Sequence, residues 1–412
     1  VDWSVGPVQG FVGGATAALA RLSDFLSASP LLGHSGVTGP DTGRLADYRK
    51  CASNDPAKPT TSMLSPYLHF GHISPLHVAL AVRGWERQKM APQTAAAGGS
   101  AFARPSSALS SSFSMGSSAA AASAATAAAT AADAFLDELI VCRELSRNTV
   151  LHLPDDYDSF EGIVPEWAQA TLEDRSSDVG LQRTLDELAR GETEDPVWNA
   201  AQWEMVSTGH MHNHMRMYWC KRIITWAPSP AVAFDWALRL NNKFSLDGRD
   251  ENAYTGVAWC FGHHDRPFPE RPVFGTVRSM TPGGLEAKVD VFRYRELVRS
   301  KVKAALRWES ARCQGGGASG GQGLAALLPA NATAAIVGKR PKTSNPLLTG
   351  ADIRGFFGSS SATGALAAAT SKPLSASAAT SSGAPTSEPT GGTKRTSIET
   401  FFSKARSKAK SE

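Results

Sequence analysis

Apolar residues recur every three or four positions along most of the first 310 residues, a spacing that predicts amphipathic helices. The segment "ATAALARLSDFLSA" (15–28) shows this spacing, and Ser65-Pro66 and Ser74-Pro75 each supply an N-cap followed by a first-turn proline. Convincing strand alternation is scarce, and no GxGxxG follows a strand. The sequence therefore predicts an all-α fold. Further helices are predicted in "ADAFLDELIVCRELSRNTVLHL" and at 181–190, 197–208, 212–226 and 229–241.

Two segments differ from this pattern because they are rich in Ala, Ser, Thr, Gly and Pro. They cover 91–132 and about the last hundred residues. Such compositions bury too little apolar surface to offset the entropy of ordering the chain, so we predict that both are disordered. The predicted organisation is a leading segment with the first helix (1–44), one helical domain (45–310) with an insertion at 91–132, and a tail (311–412).

Charge is distributed unevenly along the chain. The whole chain has a formal net charge of +4, but the segment from Ala311 onward carries 12 Lys and Arg against 4 Asp and Glu. The preceding residues then carry 30 basic and 34 acidic side chains. A basic tail is typical of an arm that binds nucleic acid or an import receptor. The body must bind any nucleic acid through a local basic patch.

Cysteine usage and hydropathy narrow the class of protein. The five cysteines are scattered without a CxxC pair, which is typical of reduced thiols in a reducing compartment. Neither a membrane-length apolar stretch nor a secretory signal is present, so we expect no membrane association. The chain begins at Val1, and we expect a fragment that lacks an upstream domain.

Three patterns suggest chemistry, and each has a simpler structural alternative. Hydroxyls in "TTSMLSP" stand at a predicted helix N-terminus, which favours bound anions, although capping alone explains them. Glu138 and Arg143 lie in an otherwise apolar helix, where a solvated ion pair is the alternative. The alternating histidines of "HMHNH" do not share one helical face, and the sequence predicts no metal site there.

Tryptophans are concentrated in "MHNHMRMYWCKRIITW" (211–226) and just before it. Trp219 and Trp226 are seven residues apart, which predicts one helical face with the rings about 10 Å apart along the axis. Trp198 opens the preceding helix. Core packing explains such rings, and a relay of oxidisable rings that pass an electron is the functional alternative.

Five collinear motifs decide between these alternatives. They are "SMLSPYLHFGHIS", "FLDELIVCREL", "WNAAQWEMVSTGHMHNHMRMYW", "LNNKFSLDGRDENAYTGVAW" and "HDRPFPERPVFGTVRSM". Their order resembles class II cyclobutane pyrimidine dimer photolyases, above all in WNAAQ, MRMYW and ERPVFG. The resemblance covers about residues 45–295 apart from the Ala/Ser block. It implies the helical FAD-binding domain of the photolyase/cryptochrome fold, without the family's N-terminal Rossmann-like antenna domain and without an antenna chromophore.

The resemblance implies a reduced FAD cofactor within the helical domain. A guanidinium beside the flavin ring would favour the negative charge of the reduced ring, and an asparagine amide would face flavin N5. The matching cofactor-binding positions are Tyr48, Ser62, Met63, Leu64, Ser65, Arg216, Asn241, Asp247 and Arg249.

The resemblance also implies UV-damaged DNA as the substrate. A fused pyrimidine pair must leave the duplex stack to reach the flavin. Glu138 matches the carboxyl group that binds its base edges, and Met217 and Trp259 match the walls around it. Asp265 and Arg266 match the loop that fills the gap in the duplex.

The tryptophans then match a relay, with Trp219 nearest the flavin, Trp198 next and Trp226 reaching toward the surface. The implied reaction is that of a deoxyribodipyrimidine photo-lyase, a carbon–carbon lyase that acts by light-driven electron donation to the dimer without net redox change. The sequence departs from the family pattern at Cys142, His210, Asn213, His214 and Phe268, and in a shorter loop near His263.

The tail repeats one short pattern, Ile-x-x-Phe-Phe. It occurs as Ile353/Phe356/Phe357 and Ile398/Phe401/Phe402. The pattern resembles the peptide by which replication and repair proteins dock on the sliding clamp, without the leading Gln. "GKRPK" is typical of a nuclear import signal, with a soluble linker as the alternative. We expect a monomer in the nucleus, or additionally in an organelle.

Two other functions are compatible with parts of the pattern. One is a flavin-based, cryptochrome-like blue-light receptor that signals without repair. The other is a scaffold that binds a clamp and DNA and has a degenerate flavin site. The persistence of Glu138, Asn241 and the tryptophans disfavours the scaffold.

Overall fold

The computed structural model describes residues 5–27, 45–48, 55–57, 61–90, 115–178, 180, 182–314, 323–329 and 332. Within these ranges the chain is helical, and an isolated β-bridge joins Arg271 and Gly275. The all-α prediction is therefore confirmed for the described part of the chain. The tail motifs at 353–357 and 398–402 and the GKRPK segment lie outside the described residues.

Fifteen α-helices are described. They are α1 (Ala15–Leu26), α2 (Ser65–His69), α3 (Pro75–Met90), α4 (Met115–Leu136), α5 (Arg143–His152), α6 (Phe160–Ile163), α7 (Glu166–Asp174), α8 (Leu185–Arg190), α9 (Pro196–Thr208), α10 (Asn213–Ile224), α11 (Pro230–Phe244), α12 (Glu251–Cys260), α13 (Pro282–Glu286), α14 (Val291–Gln314) and α15 (Leu324–Leu327). Within the described ranges, no helix combines the length and the hydropathy that crossing a bilayer requires.

Side-chain caps set the start of several helices. Asp195 accepts hydrogen bonds from two backbone N–H groups at the start of α9, and Ser229 accepts one at the start of α11. Each cap precedes a proline in the first turn, where the missing N–H has no helical partner to lose. Thr184 and Glu187 form a reciprocal capping box on α8. These local signals explain why the predicted helix positions are close to the observed ones.

The prediction of disorder for 91–132 is wrong from Met115 onward, where α4 begins. Alanine has the highest helix propensity because it loses no side-chain entropy in a helix. The alanines also lie against other helices, since Ala128, Ala131 and Ala132 are buried. An Ala-rich segment thus becomes a packed helix when a neighbouring surface covers its small side chains. Residues 91–114 lie outside the described part.

A π-helical segment interrupts the predicted continuous helix between α4 and α5, at Asp137–Cys142. The extra residue in its turns rotates the side chains that follow relative to those of an α-helix, and such segments are frequent at functional sites. It buries Leu139 and leaves Glu138 exposed. The sequence alone predicts only a helix here, because the change of hydrogen-bond register depends on packing.

Two hydrophobic clusters organise the described residues. The smaller combines α1, α3 and α4 with Tyr67 of α2 and with Leu64, the residue before α2. The larger surrounds α9, which is buried on every side from 197 to 207. Burial on all sides explains why α9 lacks the polar face of an ordinary surface helix.

Helix α14 packs against α9 around a buried carboxylate. Glu204 of α9 is 1% exposed, and it accepts hydrogen bonds from the Tyr294 hydroxyl (2.8 Å) and the Lys301 ammonium (2.5 Å). Burial alone would raise the pKa of Glu204, but Lys301 and the other donors lower it overall. A buried carboxylate thereby stays charged and joins two helices.

Removing this carboxylate should destabilise the fold. Glu204→Ala leaves Lys301 and the Tyr294 hydroxyl without their acceptor, so the free energy of unfolding should fall by roughly 3 kcal/mol. Urea denaturation monitored by circular dichroism measures the change. The control Glu296→Ala removes an exposed carboxylate of α14 and should change stability by less than about 0.5 kcal/mol. Equal effects of the two substitutions would contradict the structural role of Glu204.

Candidate functional site

The turn after α11, Asp247 to Asp250, connects the two hydrophobic clusters. Asp247 Oδ2 accepts a hydrogen bond from the Ser65 hydroxyl of α2 at 2.7 Å, and Asp247 Oδ1 lies 3.2 Å from the Arg216 guanidinium of α10. Gly248 permits this turn, because a Cβ there would lie 2.9 Å from the Asn241 carbonyl oxygen. The structure thus brings together four of the predicted cofactor-binding residues, which are Ser65, Arg216, Asn241 and Asp247.

Asp247 is charged although it is buried. Burial would raise the pKa of its carboxyl group, but the Arg216 charge and the Ser65 hydrogen bond lower this pKa to about 2. The same region contains His210, whose pKa burial lowers to about 3. At neutral pH the region therefore holds a fixed guanidinium–carboxylate pair beside a neutral imidazole.

Asn241 has an unusual environment for an amide side chain. It lies in the last turn of α11 and is 1% exposed, yet neither its amide nitrogen nor its amide oxygen has a hydrogen-bond partner in the described structure. Leaving buried polar atoms unpaired costs about 1–3 kcal/mol each. A ligand with both a donor and an acceptor would satisfy this amide, and the flavin edge has both.

The segment at the start of α2 has a strained backbone. Met63 has φ +55°, which is rare for a side chain other than glycine, and the Ser62 hydroxyl accepts a hydrogen bond from the Leu64 N–H at 3.4 Å. Helix α2 has only five residues. Its contribution to binding an anion would therefore come from local hydroxyl and N–H groups rather than from a long helix dipole.

Tyr48 lies beside the π-helical segment rather than in the Asp247 turn. Its ring packs edge-to-face on Phe135 with centroids 5.3 Å apart. Burial raises the pKa of the Tyr48 hydroxyl, and the charge of Glu138 and the nearby Cys142 raise it further. The hydroxyl is therefore a neutral hydrogen-bond donor near Glu138.

Arg249 differs from the other predicted cofactor ligands. It is exposed, has φ +64°, and its backbone N–H donates to the Asn242 side chain at 2.8 Å. Burial raises the pKa of the Tyr254 hydroxyl, and the Arg249 charge partly opposes this rise. The prediction that Arg249 binds the cofactor stays a prediction.

Glu138 and Arg143 do not form the ion pair proposed as the simpler alternative. Arg143 lies 3.3 Å from Asp250, which also lies 3.3 Å from His69 of α2, whereas the Glu138 side chain is exposed. Asp250 caps α12, so this ion pair connects α2, α5 and α12. Glu138 remains available to a ligand.

The predicted substrate walls come from neighbouring helices. Met217 of α10 and Trp259 of α12 are both incompletely buried, and Trp259 is 37% exposed, which is high for so large an apolar ring. The loop after α12 follows directly. In it Asp265 is partly buried, and the exposed Arg266 stacks over Phe268 at 5.6 Å.

Three tryptophans form one contiguous cluster. The rings of Trp198 and Trp219 are parallel with centroids 6.1 Å apart, and Trp198 meets Trp226 edge-to-face at 5.2 Å. Helix α10 ends at Ile224, so the prediction that Trp219 and Trp226 share one helical face is wrong. Trp198 from α9 contacts both rings instead, because the chain turns after α10.

The expectation that Trp226 reaches toward the surface is also wrong, since this ring is 2% exposed. Its indole N–H donates to Glu194 Oε1 at 2.7 Å, and the side chain of Glu194 is 45% exposed. The buried Trp226 ring is therefore linked to solvent by a hydrogen bond to an exposed carboxylate. Sequence reasoning missed Glu194, for which no motif gave a signal.

Gln202 is a second residue that sequence reasoning missed. It is fully buried, and its side-chain oxygen accepts a hydrogen bond from the Trp219 indole N–H at 2.9 Å. Gln202 stands at the end of the WNAAQ motif. A glutamine within this motif was a usable signal in the sequence. A buried glutamine needs hydrogen-bond partners, and a tryptophan N–H is one.

The Asp247 carboxyl group predicts a specific acid dependence of stability. Its pKa is about 2 in the folded chain and 3.8 ordinarily, so its stabilisation is complete above about pH 4 and is lost as pH falls through about 2. At neutral pH this amounts to about 2 kcal/mol. In the Asp247→Asn variant, the free energy of unfolding measured with urea should no longer show this part of the acid dependence. The control Asp155→Asn, at an exposed carboxylate, should keep it. An unchanged acid dependence in Asp247→Asn would contradict the assignment.

Comparison with known proteins identifies relatives of this chain, although no protein-family model matches it. The chain is 40% identical over 290 residues to the deoxyribodipyrimidine photo-lyase of Methanothermobacter thermautotrophicus, an alignment covering 70% of this chain and 51% of the relative. It is 38% identical over 276 residues to the enzyme of that name from Arabidopsis thaliana, covering 66% and 47%. For the enzyme of that name from Potorous tridactylus the identity is 33% over 243 residues, covering 58% and 38%.

Two solved structures are distantly similar. A bacterial class III photolyase from Agrobacterium tumefaciens has 19% identity and a TM-score of 0.37, covering 72% of this chain and 45% of that one. A cryptochrome from Synechocystis sp. PCC6803 has 16% identity and a TM-score of 0.39, covering 76% and 48%. These scores are low, so the assignment depends on the sequence relatives. The chain spans about half the length of the curated relatives it matches, and over that span it is homologous to proteins named deoxyribodipyrimidine photo-lyase.

Proposed function

We propose that this chain repairs cyclobutane pyrimidine dimers in DNA by light-driven electron donation from reduced FAD, as a class II enzyme. The observation that carries the proposal is the buried amide of Asn241, whose nitrogen and oxygen have no hydrogen-bond partner in the described structure, together with the Arg216–Asp247 pair, in a chain homologous to photolyases. The class II motifs WNAAQ, MRMYW and ERPVFG support the narrower class.

The residues around Asn241 fit a flavin. When bound, FAD supplies the light absorption and the electron donated to the substrate. Arg216 would place a positive charge next to the flavin ring and so favour its reduced, negatively charged form, and Asp247 holds that guanidinium in place. The Asn241 amide can turn to donate or to accept a hydrogen bond. Ser62, Ser65 and the N–H groups between them would bind the diphosphate.

The substrate side would lie at Glu138, Met217 and Trp259. A lesion that has left the duplex stack needs apolar walls and a hydrogen-bonding group for its base edges, and an incompletely buried methionine, an exposed tryptophan ring and an exposed carboxyl group provide both. The body is acidic overall, so phosphate contacts depend on local cations. Such a patch is offered by the segment after α12, where three arginines are exposed: Arg266, Arg271 and Arg278.

The three tryptophans would reduce the flavin before repair. Ring centroids 5.2 Å and 6.1 Å apart put Trp198 in contact with both Trp219 and Trp226. We propose the electron route from Trp226 through Trp198 to Trp219, which lies nearest the cofactor in the family pattern.

Repair by the purified chain tests the proposal. With FAD bound and reduced, blue or near-UV light should restore pyrimidines in an oligonucleotide that contains one dimer, and darkness should not. Glu138→Ala should lower the repair rate by roughly tenfold through loss of one hydrogen bond, with an unchanged flavin spectrum. The control Glu144→Ala removes an exposed carboxylate of α5 and should have little effect.

Other outcomes of this experiment assign a different function. Photoreduction of bound flavin without any repair would favour the cryptochrome-like receptor. Efficient repair of (6-4) photoproducts would contradict the assignment to dimer photolyases.

We further propose that the protein acts as a monomer in the nucleus and docks on a sliding clamp through its tail. Each Ile-x-x-Phe-Phe motif offers one aliphatic and two aromatic side chains, and two copies separated by a long linker can gain avidity. The basic end adds attraction to DNA phosphates.

Calorimetry with the full chain and a purified sliding clamp tests this docking. Without the leading Gln each motif alone should bind in the micromolar range or more weakly. Phe356/Phe357→Ala and Phe401/Phe402→Ala serve as controls for each other, because each leaves one motif intact. Each should weaken binding relative to the unchanged chain, and the four-fold variant should not bind. Absence of binding by the unchanged chain at low salt would leave the tail as an import and solubility segment.

A further inference from the structure

The hydrogen bonds of the three clustered tryptophans differ in one respect. Trp198 donates its indole N–H to the Trp219 backbone carbonyl at 2.9 Å, and Trp219 donates to the Gln202 amide oxygen at 2.9 Å. Both acceptors are neutral groups that do not take up a proton at neutral pH. Trp226 instead donates to a carboxylate, Glu194 Oε1, at 2.7 Å.

Glu194 is held so that one oxygen faces Trp226. Its Oε2 accepts hydrogen bonds from Arg183 at 2.7 Å and 3.2 Å. Its Oε1 accepts the indole N–H and lies 3.7 Å from the Arg222 guanidinium. Burial would raise the pKa of this carboxyl group, but hydrogen bonds from its own backbone, Arg183 and Trp226 lower it overall. Glu194 is therefore a carboxylate at neutral pH and can accept a proton.

A cation lies on the face of the same ring. The Arg222 guanidinium carbon is 4.4 Å from the Trp226 ring centroid, a cation–π contact. The contact stabilises the neutral ring and disfavours a positive charge on it, because two like charges would then be close in a buried site. Electron loss from Trp226 becomes favourable when the positive charge leaves with a proton.

We propose that Glu194 is the proton acceptor for Trp226, so that this tryptophan is oxidised by coupled loss of an electron and a proton and becomes the resting place of the oxidising equivalent. The inference rests on the proposed electron relay. One electron passes from Trp226 to oxidised Trp198, the Nε1–H bond breaks, and an O–H bond forms on Glu194 Oε1. The products are a neutral Trp226 radical and a protonated carboxyl group. An external thiol later returns the electron, and the carboxyl group returns the proton or exchanges it with solvent.

The consequence is a directional relay. Trp198 and Trp219 keep their protons when oxidised, so they can only pass the charge on or take the electron back. A deprotonated Trp226 radical must regain a proton before it is reduced, which slows charge recombination. Since the Glu194 side chain is 45% exposed, its proton can leave to water and prolong the separated state.

Time-resolved absorption of the full chain with oxidised FAD bound tests the inference. In the unchanged protein the long-lived tryptophan radical should have the spectrum of the neutral form, and its formation should slow in D2O. Glu194→Gln keeps an oxygen acceptor for the indole but cannot take up a proton at neutral pH. Its tryptophan radical should stay a cation without the isotope effect, and the lifetime of the charge-separated state should fall by roughly tenfold, equivalent to about 1.4 kcal/mol.

Two control variants separate proton acceptance from structural effects. Glu192→Gln makes the same change at a neighbouring glutamate that pairs with Arg190, and it should behave as the unchanged protein. Arg183→Gln removes the shorter of the two arginine ion pairs of Glu194 but leaves the carboxylate, so the neutral radical and the isotope effect should persist. Flavin content and circular dichroism establish that each variant is folded.

The outcomes distinguish the inference from the relay on which it rests. Equal radical form, lifetime and isotope effect in Glu194→Gln and in the unchanged protein would overturn the role of Glu194 while the relay stands. A long-lived tyrosyl radical would overturn it in favour of Tyr218, whose hydroxyl donates to Asp195. If Trp219→Phe retains full photoreduction, the relay itself fails, and the inference fails with it.

Discussion

Two buried carboxylates in the turn after α11 hold the helical body together around its candidate site. Asp247 joins α2 to α10 through Ser65 and Arg216, and Asp250 joins α2 to α5 through His69 and Arg143. A buried carboxylate is costly unless cations and donors surround it, so each of these contacts fixes the position of its partners. The turn therefore sets how the two hydrophobic clusters meet, and this meeting creates the region that contains Asn241.

The cost of burying a polar group also bears on which buried side chains have hydrogen-bond partners and which have none. Many buried polar side chains have partners, as the Glu204 and Asp195 networks show. In the described structure the hydroxyls of Tyr67, Ser207 and Ser245 have none, and Asn241 differs from these because both polar atoms of its amide are unpartnered. Leaving both atoms of a buried amide unpaired is costly, so this side chain is a position that a bound ligand would complete.

The tryptophan cluster shows how polar contacts divide roles among identical side chains. The rings are alike in chemistry and burial, and they differ in what receives their indole N–H: a backbone carbonyl, an amide or a carboxylate. The acceptor decides whether an oxidised ring keeps its proton. The Arg222 cation on the third ring acts in the same direction, since it opposes a positive charge there.

The sequence by itself determined the all-α class and the approximate positions of helices such as α9 and α11, because caps, prolines and apolar periodicity act locally. Family motifs also predicted Arg216 and Asp247, which the structure joins in an ion pair, and Asn241, whose role toward a cofactor stays a prediction. Only the tertiary structure decided that Trp198 contacts both other rings, that an Ala-rich segment packs as α4, and that Asp137–Cys142 is π-helical. Those features depend on contacts between residues far apart in the chain, which no local pattern encodes. Glu194 came only from the structure for the same reason, since its role follows from a partner 32 positions away.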